Sequence, residues 1–393
     1  MAITRDDCAS LDDNDPLRSI RDRFVLPDGI VYLDGNSLGP MARNVPTRAD
    51  TILSEWSSRL IRGWMEEGWW ELPLRVGARI ARLIGAAPEQ VIVSDTTTTN
   101  LYKTLSAAVG LRSDRSVVVI EESAFPTDIY VAQSVARRIG GELRMLLRGK
   151  PVESVLDDTV AAVVMNHVDF RTAEIADMAA ATSAIHDAGA LAIWDLSHSA
   201  GVLPVALDVC EVDFAVGCTY KYLNGGPGAP AYLYVNARHL GEATQPIPGW
   251  MGHADPFLME NEYRPSEGIR RFLTGSQPII SMRILDAALD AYDEADIAAV
   301  RAKGIALTDL FIELVDDRLG LEVLSPRDSD RRGSQVSLRH PNAAAVYETL
   351  VDRGLQGDFR NPDILRFGFA PLYVSFADAW DAVEILAAVL GEG

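Results

Sequence analysis

Cysteine is scarce in this sequence, and long apolar runs are missing. The 393 residues include three cysteines, Cys8, Cys210 and Cys218, whose spacing fits neither a disulfide framework nor a metal site. Residues 1–20 are polar and acidic without the apolar core of a signal peptide, and no later segment offers the roughly 20 apolar residues that span a membrane. We therefore expect a cytoplasmic protein that binds no metal.

Basic side chains are also few relative to acidic ones. The chain has 36 Lys and Arg against 56 Asp and Glu, a net charge of −20. Such a surface repels both a phosphate backbone and anionic lipid, so we expect neither nucleic acid nor a membrane as a partner. The hydrophobic content of 48% and the charged content of 23% are those of a globular protein with a large core.

Short apolar segments alternate with helical patterns along much of the chain. Strands are predicted at residues 90–94, 116–120, 161–165, 190–194, 214–218 and 231–235. This alternation predicts an α/β fold with a mostly parallel, doubly wound sheet, in which ligands bind at the carboxyl ends of the strands. We divide the chain into an N-terminal arm with a loop (1–45), a large domain (46–277) and a smaller C-terminal α/β domain (278–393).

Reactive side chains stand at the ends of two of these strands. One strand ends in Asp195, with His198 just beyond, and the next leads into Tyr220 and Lys221 before a glycine-rich turn at 224–228. Most lysines are simply solvated, but a partly desolvated amine can form a Schiff base with a carbonyl cofactor such as pyridoxal 5′-phosphate. That cofactor also needs a carboxylate against its pyridinium nitrogen. The ordered set favours this cofactor.

A run of threonines follows the strand at 90–94 and precedes a predicted helix at 101–109. Threonines at a helix start are common N-caps, but Thr97 and Thr98 also bring hydroxyl and free N–H groups to the positive end of the helix, where phosphate binds. No glycine-rich nucleotide motif occurs at a strand–helix turn, so the sequence gives no support for a nucleotide cofactor.

Four segments together resemble kynureninases, pyridoxal-phosphate enzymes of fold type I in the class V aminotransferase superfamily. They are YLDGNSLGP (32–40), AFPTD (124–128), WDLSHSAG (194–201) and YKYLNGGPG (220–228). The similarity runs from about residue 30 to the C-terminus, and Asp-x-x-His replaces the Asp-x-x-Gln typical of cysteine desulfurases. Those enzymes need a thiol well beyond the lysine, and no cysteine follows Lys221, so sulfur transfer is disfavoured.

The resemblance implies a homodimer with shared active sites that hydrolyses L-kynurenine to anthranilate and L-alanine in tryptophan catabolism. The implied catalytic residues are Lys221, Tyr220 and Asp195. The implied cofactor contacts are Thr97, Thr98, Phe125, Asp128, Asn166, Asp195, His198, Tyr220, Lys221, Trp250 and Ser276. The implied substrate contacts are Asn36, Ser37, Trp64, Ser276 and Arg366, with Trp250 and Ser276 on loops that would reach the neighbouring subunit's site.

Several of these residues also have an ordinary structural interpretation. Phe125 could belong to the core and Asp128 could cap a helix. Trp64 lies among three closely spaced tryptophans that could simply pack together. Arg366, at the end of an apolar strand, could form a surface salt bridge instead of gripping a carboxylate.

Two other functions remain open at this point. Another fold-type I enzyme, an aminotransferase or epimerase, would share the cofactor pocket, and a non-catalytic protein could keep the fold. The resemblance also bears on the substrate ring, because Trp64 and Ser276 occupy positions where animal members that favour 3-hydroxykynurenine have histidine and asparagine. An indole is a poor partner for a hydroxyl group, so we predict a preference for unsubstituted L-kynurenine.

Overall fold

The computed structural model describes residues 3–391. The helices are α1 Arg5–Asp13, α2 Val45–Arg59, α3 Gly63–Glu66, α4 Leu72–Leu83, α5 Thr97–Leu111, α6 Pro126–Arg138, α7 Met178–Asp187, α8 Ile279–Ala288, α9 Ile297–Arg318, α10 Ala343–Asp352 and α11 Phe376–Gly391. The strands are β1 Val31–Tyr32, β2 Val91–Val93, β3 Val117–Glu121, β4 Glu142–Leu146, β5 Val160–Asn166, β6 Leu191–Asp195, β7 Phe214–Gly217, β8 Tyr232–Val235, β9 Glu322–Val323, β10 Gln335–Arg339, β11 Leu355–Gln356, β12 Asp358–Arg360 and β13 Ile364–Gly368.

A seven-stranded sheet forms the centre of the protein, in the order β2-β8-β7-β6-β5-β3-β4. Strand β8 is antiparallel to both of its neighbours, and the other pairs are parallel. The inner strands are apolar along their whole length because helices cover both faces of the sheet. The mostly parallel, doubly wound sheet predicted from the sequence is therefore confirmed.

Alternate residues of each central strand point to two separate cores. Ile193 of β6 packs on one face with side chains of α5 and α6, such as Leu105 and Val135. Its neighbour Trp194 packs on the other face with side chains of α4 and α7, such as Ile80 and Ile185. Because successive strand residues point to opposite faces, one continuous apolar run serves both layers.

The C-terminal part of the chain forms a smaller layer beside this sheet. Strands β12-β13-β10-β9 make an antiparallel sheet, which contacts α9 and α10. The N-terminal segment joins this part, because β1 pairs with β11 and Arg5 of α1 forms an ion pair with Asp381 of α11 at 2.7 Å. Helices α1 and α11 are thus held together.

A buried charge cluster lies near the amino-terminal edge of the central sheet. Asp213 is fully buried just before β7 and accepts hydrogen bonds from His186 at 2.8 Å, His239 at 2.7 Å, Arg238 at 2.5 Å and the Ala192 N–H at 2.7 Å. Burial alone would raise the pKa of Asp213, but these hydrogen bonds lower it below its ordinary value. The cluster joins elements on both sides of β7.

Some features differ from the sequence-based expectation. The edge strand β4, ELRML, has only one fully buried residue, Leu146, so it lacks the apolar run by which the inner strands were assigned. The short strands β11 and β12 were also not assigned. Within residues 3–391, none of the helices combines the length and the apolar character needed to cross a membrane.

Candidate active site

A cavity of about 280 Å³ opens at the carboxyl ends of the central parallel strands. The predicted site residues that line it are Asn36, Ser37, Thr97, Thr98, Phe125, Asp128, Asn166, Asp195, His198, Tyr220, Lys221 and Arg366. Ser197, Phe170 and Arg360 line it as well and were not predicted from the sequence. The predicted residues Trp64, Trp250 and Ser276 are not among the lining side chains.

Parallel strand pairing brings the acidic part of the cavity together. Asn166 is the last residue of β5 and pairs in register with Asp195, the last residue of β6. The Ser197 N–H donates to Asp195 Oδ1 at 2.6 Å, and the His167 N–H donates to the Asp195 carbonyl at 3.0 Å. Asp195 is thus fixed at the strand end.

A second buried carboxyl group, Asp128, lies beside Asp195. It sits in the first turn of α6, where its Oδ2 accepts a hydrogen bond from Asn166 Nδ2 at 3.2 Å. Burial raises the pKa of Asp128 well above its ordinary value, and the charge of Asp195 raises it further. Both effects favour the protonated form of Asp128, which can donate a hydrogen bond to Asp195.

Lys221 presents an amine without a partner. Among residues 3–391, its Nζ has no hydrogen-bond or ion-pair partner and lies 5.9 Å from the ring centre of Phe125 and 6.0 Å from that of Tyr220. The turn after it needs Asn224 at φ 57° and Gly226 at φ 87°, a region that glycine enters readily and asparagine tolerates. Lys221 thus lies between the end of β7 at Gly217 and this turn, and it lines the cavity.

A glycine in the loop at 34–40 allows that loop to approach the lysine closely. The Gly39 N–H donates to the Tyr220 carbonyl at 2.8 Å. A Cβ at Gly39 would lie 2.5 Å from the Lys221 carbonyl oxygen and 2.2 Å from Asn224 Oδ1, so any other residue would push the loop away. Asn36 and Ser37 reach the cavity through this contact.

The first turn of α5 forms another wall of the cavity. Thr96 is the N-cap and accepts a hydrogen bond from the Thr99 N–H at 3.3 Å. Thr97 and Thr98 begin the helix, where backbone N–H groups lack intrahelical acceptors and the helix dipole is positive. Their N–H and hydroxyl groups suit a phosphate group.

Lys103 of α5 anchors this turn from below and was not identified from the sequence. Its side chain is fully buried and its Nζ donates to Asp95 Oδ2 at 2.8 Å, Ser94 Oγ at 2.9 Å and the Phe272 carbonyl at 2.8 Å. Thr274 also donates to Asp95, at 3.0 Å. Lys103 lies between Leu101 and Leu105, which are both buried, and this was the signal available, because a lysine among buried residues needs a buried acceptor.

The two buried histidines of the region are neutral. Burial and the charge of Lys221 hold the pKa of His198 well below its ordinary value. Burial lowers the pKa of His167 to about 4, and its Nδ1 shares a hydrogen bond with Ser199 Oγ at 2.8 Å. His198 lines the cavity, whereas His167 does not.

Arg366 belongs to a buried ion pair at the opposite end of the cavity. It is 1% exposed; its Nε donates to Asp358 Oδ1 at 2.6 Å and its Nη2 donates to Asp358 Oδ2. Ser37 Oγ donates to the same Oδ2 at 2.8 Å. Arg360 approaches this oxygen as well, with its Nη2 at 2.8 Å. The surface salt bridge considered for Arg366 is thus a buried one.

Trp64 lies in an aromatic cluster away from this cavity. Its ring centre is 6.1 Å from that of Trp69, 6.4 Å from that of Trp70 and 6.4 Å from that of Trp250. Trp250 is 39% exposed, and Ser276 is exposed on a neighbouring loop. One chain alone therefore does not bring these three residues to the cavity.

Comparison with known proteins relates the whole chain to one family. Residues 300–386 match the family model described as the kynureninase C-terminal domain. The chain is 46% identical to a kynureninase from Pseudomonas fluorescens and 45% identical to one from Burkholderia mallei (strain SAVP1). Each of these alignments covers 98% of this chain and 95% of the relative.

Solved structures of more distant proteins share the fold. A cysteine desulfurase from Thermococcus onnurineus NA1 superposes with a TM-score of 0.82 at 18% identity, covering 95% of this chain and 98% of that one. The cysteine desulfurase CsdA from Escherichia coli gives 0.82 at 16% identity, with 96% and 98% covered. At these identities the likeness shows the architecture, which is that of the expected fold type I.

Proposed function

This chain belongs to the kynureninase family, and on that basis we propose that it is a pyridoxal-phosphate-dependent hydrolase that cleaves L-kynurenine between Cβ and Cγ, giving anthranilate and L-alanine. The observation that carries the proposal is the cavity itself. An unpaired lysine amine, a buried aspartate and the start of a helix surround one space of about 280 Å³. These groups correspond to the aldehyde, ring nitrogen and phosphate of the cofactor.

The residues of the cavity fit this cofactor chemically. Asn166 Oδ1 is buried and has no hydrogen-bond partner among the described residues, and the Lys221 amine is equally unpaired. Polar groups that are buried in a folded protein normally find partners. We propose that Lys221 would hold the cofactor's aldehyde carbon, Asp195 its ring nitrogen, and Thr97 and Thr98 its phosphate.

When bound, the cofactor supplies an electron-poor ring that stabilises negative charge on the substrate carbon next to the amine. Asp195 keeps a proton on the ring nitrogen, and Lys221 Nζ is placed to take the proton from the substrate's Cα. Tyr220 stands next to the lysine. Its neighbour Cys218 and burial raise the pKa of Tyr220, so its phenol keeps its proton at neutral pH and can donate it in a later step.

The test is the product balance with L-kynurenine. The purified holoenzyme should release anthranilate and L-alanine in equal amounts. Anthranilate is measured by its fluorescence and L-alanine by amino-acid analysis. An aminotransferase would consume kynurenine without releasing anthranilate. An epimerase would form neither product, and a non-catalytic protein would leave the substrate unchanged. Anthranilate without matching alanine would contradict the proposed cleavage.

We also propose that the active protein is a homodimer whose subunits complete each other's sites. The support is a patch of exposed aromatic side chains that includes Trp250 and Phe257, 39% and 57% exposed, since large apolar patches on a surface mark interaction sites. Light scattering should give about 86 kDa, twice the chain mass of 42.8 kDa. A fully active single chain would refute this.

A further inference from the structure

We propose that Arg360 is a second guanidinium group for the substrate's α-carboxylate, acting beside Arg366. This inference rests on the proposed function, because it assumes an amino-acid substrate in the cavity. Arg360 ends the short strand β12, which pairs antiparallel with β13 so that Asp358 faces Arg366. Residues two apart on a strand project to the same side. Asp358 and Arg360 therefore share the side on which Arg366 lies.

Most N–H groups of the Arg366 guanidinium already donate hydrogen bonds within the protein. Its Nε and Nη2 donate to the two oxygens of Asp358, and its Nη1 donates to the Phe170 carbonyl. Nη2 also approaches Ser37 Oγ at 3.4 Å. An arginine has five N–H donors, so these contacts leave little capacity for another ligand. Arg366 cannot offer a two-point grip on a carboxylate while this arrangement holds.

Arg360 has the capacity that Arg366 lacks. It lines the same cavity, and its side chain is 36% exposed. Its Nη2 is held by Asp358 Oδ2 at 2.8 Å and its Nη1 donates to the Phe359 carbonyl at 3.3 Å. Its Nε has no partner among the described residues. These two contacts use two of the five N–H groups of the guanidinium, and the buried Nε–H is among those left for a ligand.

The charge of this cluster also favours an anion. Arg360 and Arg366 share the single carboxylate of Asp358. The other acid whose charge acts on Arg360 is Asp34, whose pKa burial and the charge of Asp358 raise to about 7. Asp34 is therefore only partly ionised at neutral pH, and the cluster keeps an excess of positive charge. A substrate carboxylate would balance that excess and receive charge-assisted hydrogen bonds.

The experiment compares L-kynurenine with 3-amino-1-(2-aminophenyl)propan-1-one, which lacks only the α-carboxylate. In the holoenzyme, Arg360→Gln should raise the KM for L-kynurenine roughly 10- to 100-fold, the effect of losing a charge-assisted hydrogen bond. The inhibition constant of the decarboxylated analogue should change by less than about twofold. Arg360→Lys, which keeps the charge and the contact to Asp358, should recover part of the loss.

Arg339→Gln is the matched control. Arg339 lies on β10 of the same sheet, pairs with Glu322 at 2.7 Å and with Asp363 at 3.1 Å, and is outside the cavity. Its substitution should leave both constants unchanged. Equal weakening of kynurenine and the analogue in Arg360→Gln would mean a structural role, and unchanged constants would mean no contact. Either result overturns the inference about Arg360, but the proposed function still stands if the wild type hydrolyses L-kynurenine. A wild type that releases no anthranilate overturns both proposals.

Discussion

Asp128 offers a test of how protons are arranged at the acidic end of the cavity. Asp128 and Asp195 are 2% and 6% exposed, and burial together with the charge of Asp195 raises the pKa of Asp128. Asp128 should therefore act as a neutral hydrogen-bond donor to Asp195. An asparagine amide can donate in the same way without a charge, whereas alanine cannot. Asp128→Asn should thus retain activity that Asp128→Ala loses.

The expected size follows from one hydrogen bond to a charged group, which contributes about 1.5–3 kcal/mol. If Asp128→Ala loses that contact, kcat/KM for L-kynurenine should fall roughly 10- to 150-fold. Asp128→Asn should stay within about threefold of the wild type. Asp195→Ala should fall by more than tenfold, about 1.4 kcal/mol in the barrier, because the ring nitrogen would lose its carboxylate.

The assay is the initial rate of anthranilate release, normalised to the bound cofactor in each variant. Asp187→Asn is a suitable control, because Asp187 is exposed at the end of α7 and receives the same chemical change. If Asp128→Asn were as impaired as Asp128→Ala, Asp128 would have to work as an anion. The proton arrangement inferred from its burial would then be wrong.

Three further predictions concern the lysine, the buried aspartate and the substrate ring. Lys221→Ala should abolish turnover while circular dichroism shows a folded protein; near-normal multiple turnover would exclude its role. Asp213→Asn should destabilise the fold by about 3–5 kcal/mol in urea unfolding, because an amide presents a donor to groups that already donate. The folded-state pKa of Asp213 is lowered, so its stabilisation is complete above about pH 4 and is lost in more acidic solution, where wild type and variant should converge; a gap that persists there would contradict this. The wild type should prefer L-kynurenine over 3-hydroxykynurenine by roughly 10- to 100-fold in kcat/KM, and unchanged selectivity in a Trp64→His, Ser276→Asn double variant would show that these residues do not set it.

The fold was largely predictable because a strand that is buried on both faces has a continuous apolar sequence. Strands such as β5 and β6 are continuous apolar runs, and their polar end residues mark the edge where ligands bind. Strand β12, Asp-Phe-Arg, could not be assigned in this way. Two charged residues in a three-residue strand look like surface, and only the pairing with β13 shows that they lie against a buried arginine.

Site residues were predictable where a short local motif contains them. They were not predictable where a side chain bonds to a residue far away in the chain. Asp195 ends the apolar strand β6, and Lys221 follows the apolar strand β7 by four residues, so the local sequence marks both. The contact between Arg366 and the Phe170 carbonyl joins residues 196 positions apart, and no local pattern predicts such a pair. The same holds for Lys103 and the Phe272 carbonyl, 169 positions apart. These long-range contacts fix the geometry that the motifs only outline.

The aromatic cluster around Trp64 lies outside the cavity that a single chain forms. Family resemblance assigns Trp64, Trp250 and Ser276 to the site, yet none of them lines the cavity of one chain. Trp64 and Trp250 instead pack together, with their ring centres 6.4 Å apart, and Trp250 remains 39% exposed. Exposed aromatic patches of this kind mark interaction sites. If a second copy of the chain covers this patch, we expect selectivity for the substrate ring to depend on the dimer, because Ser276 would come from one chain and the lysine from the other.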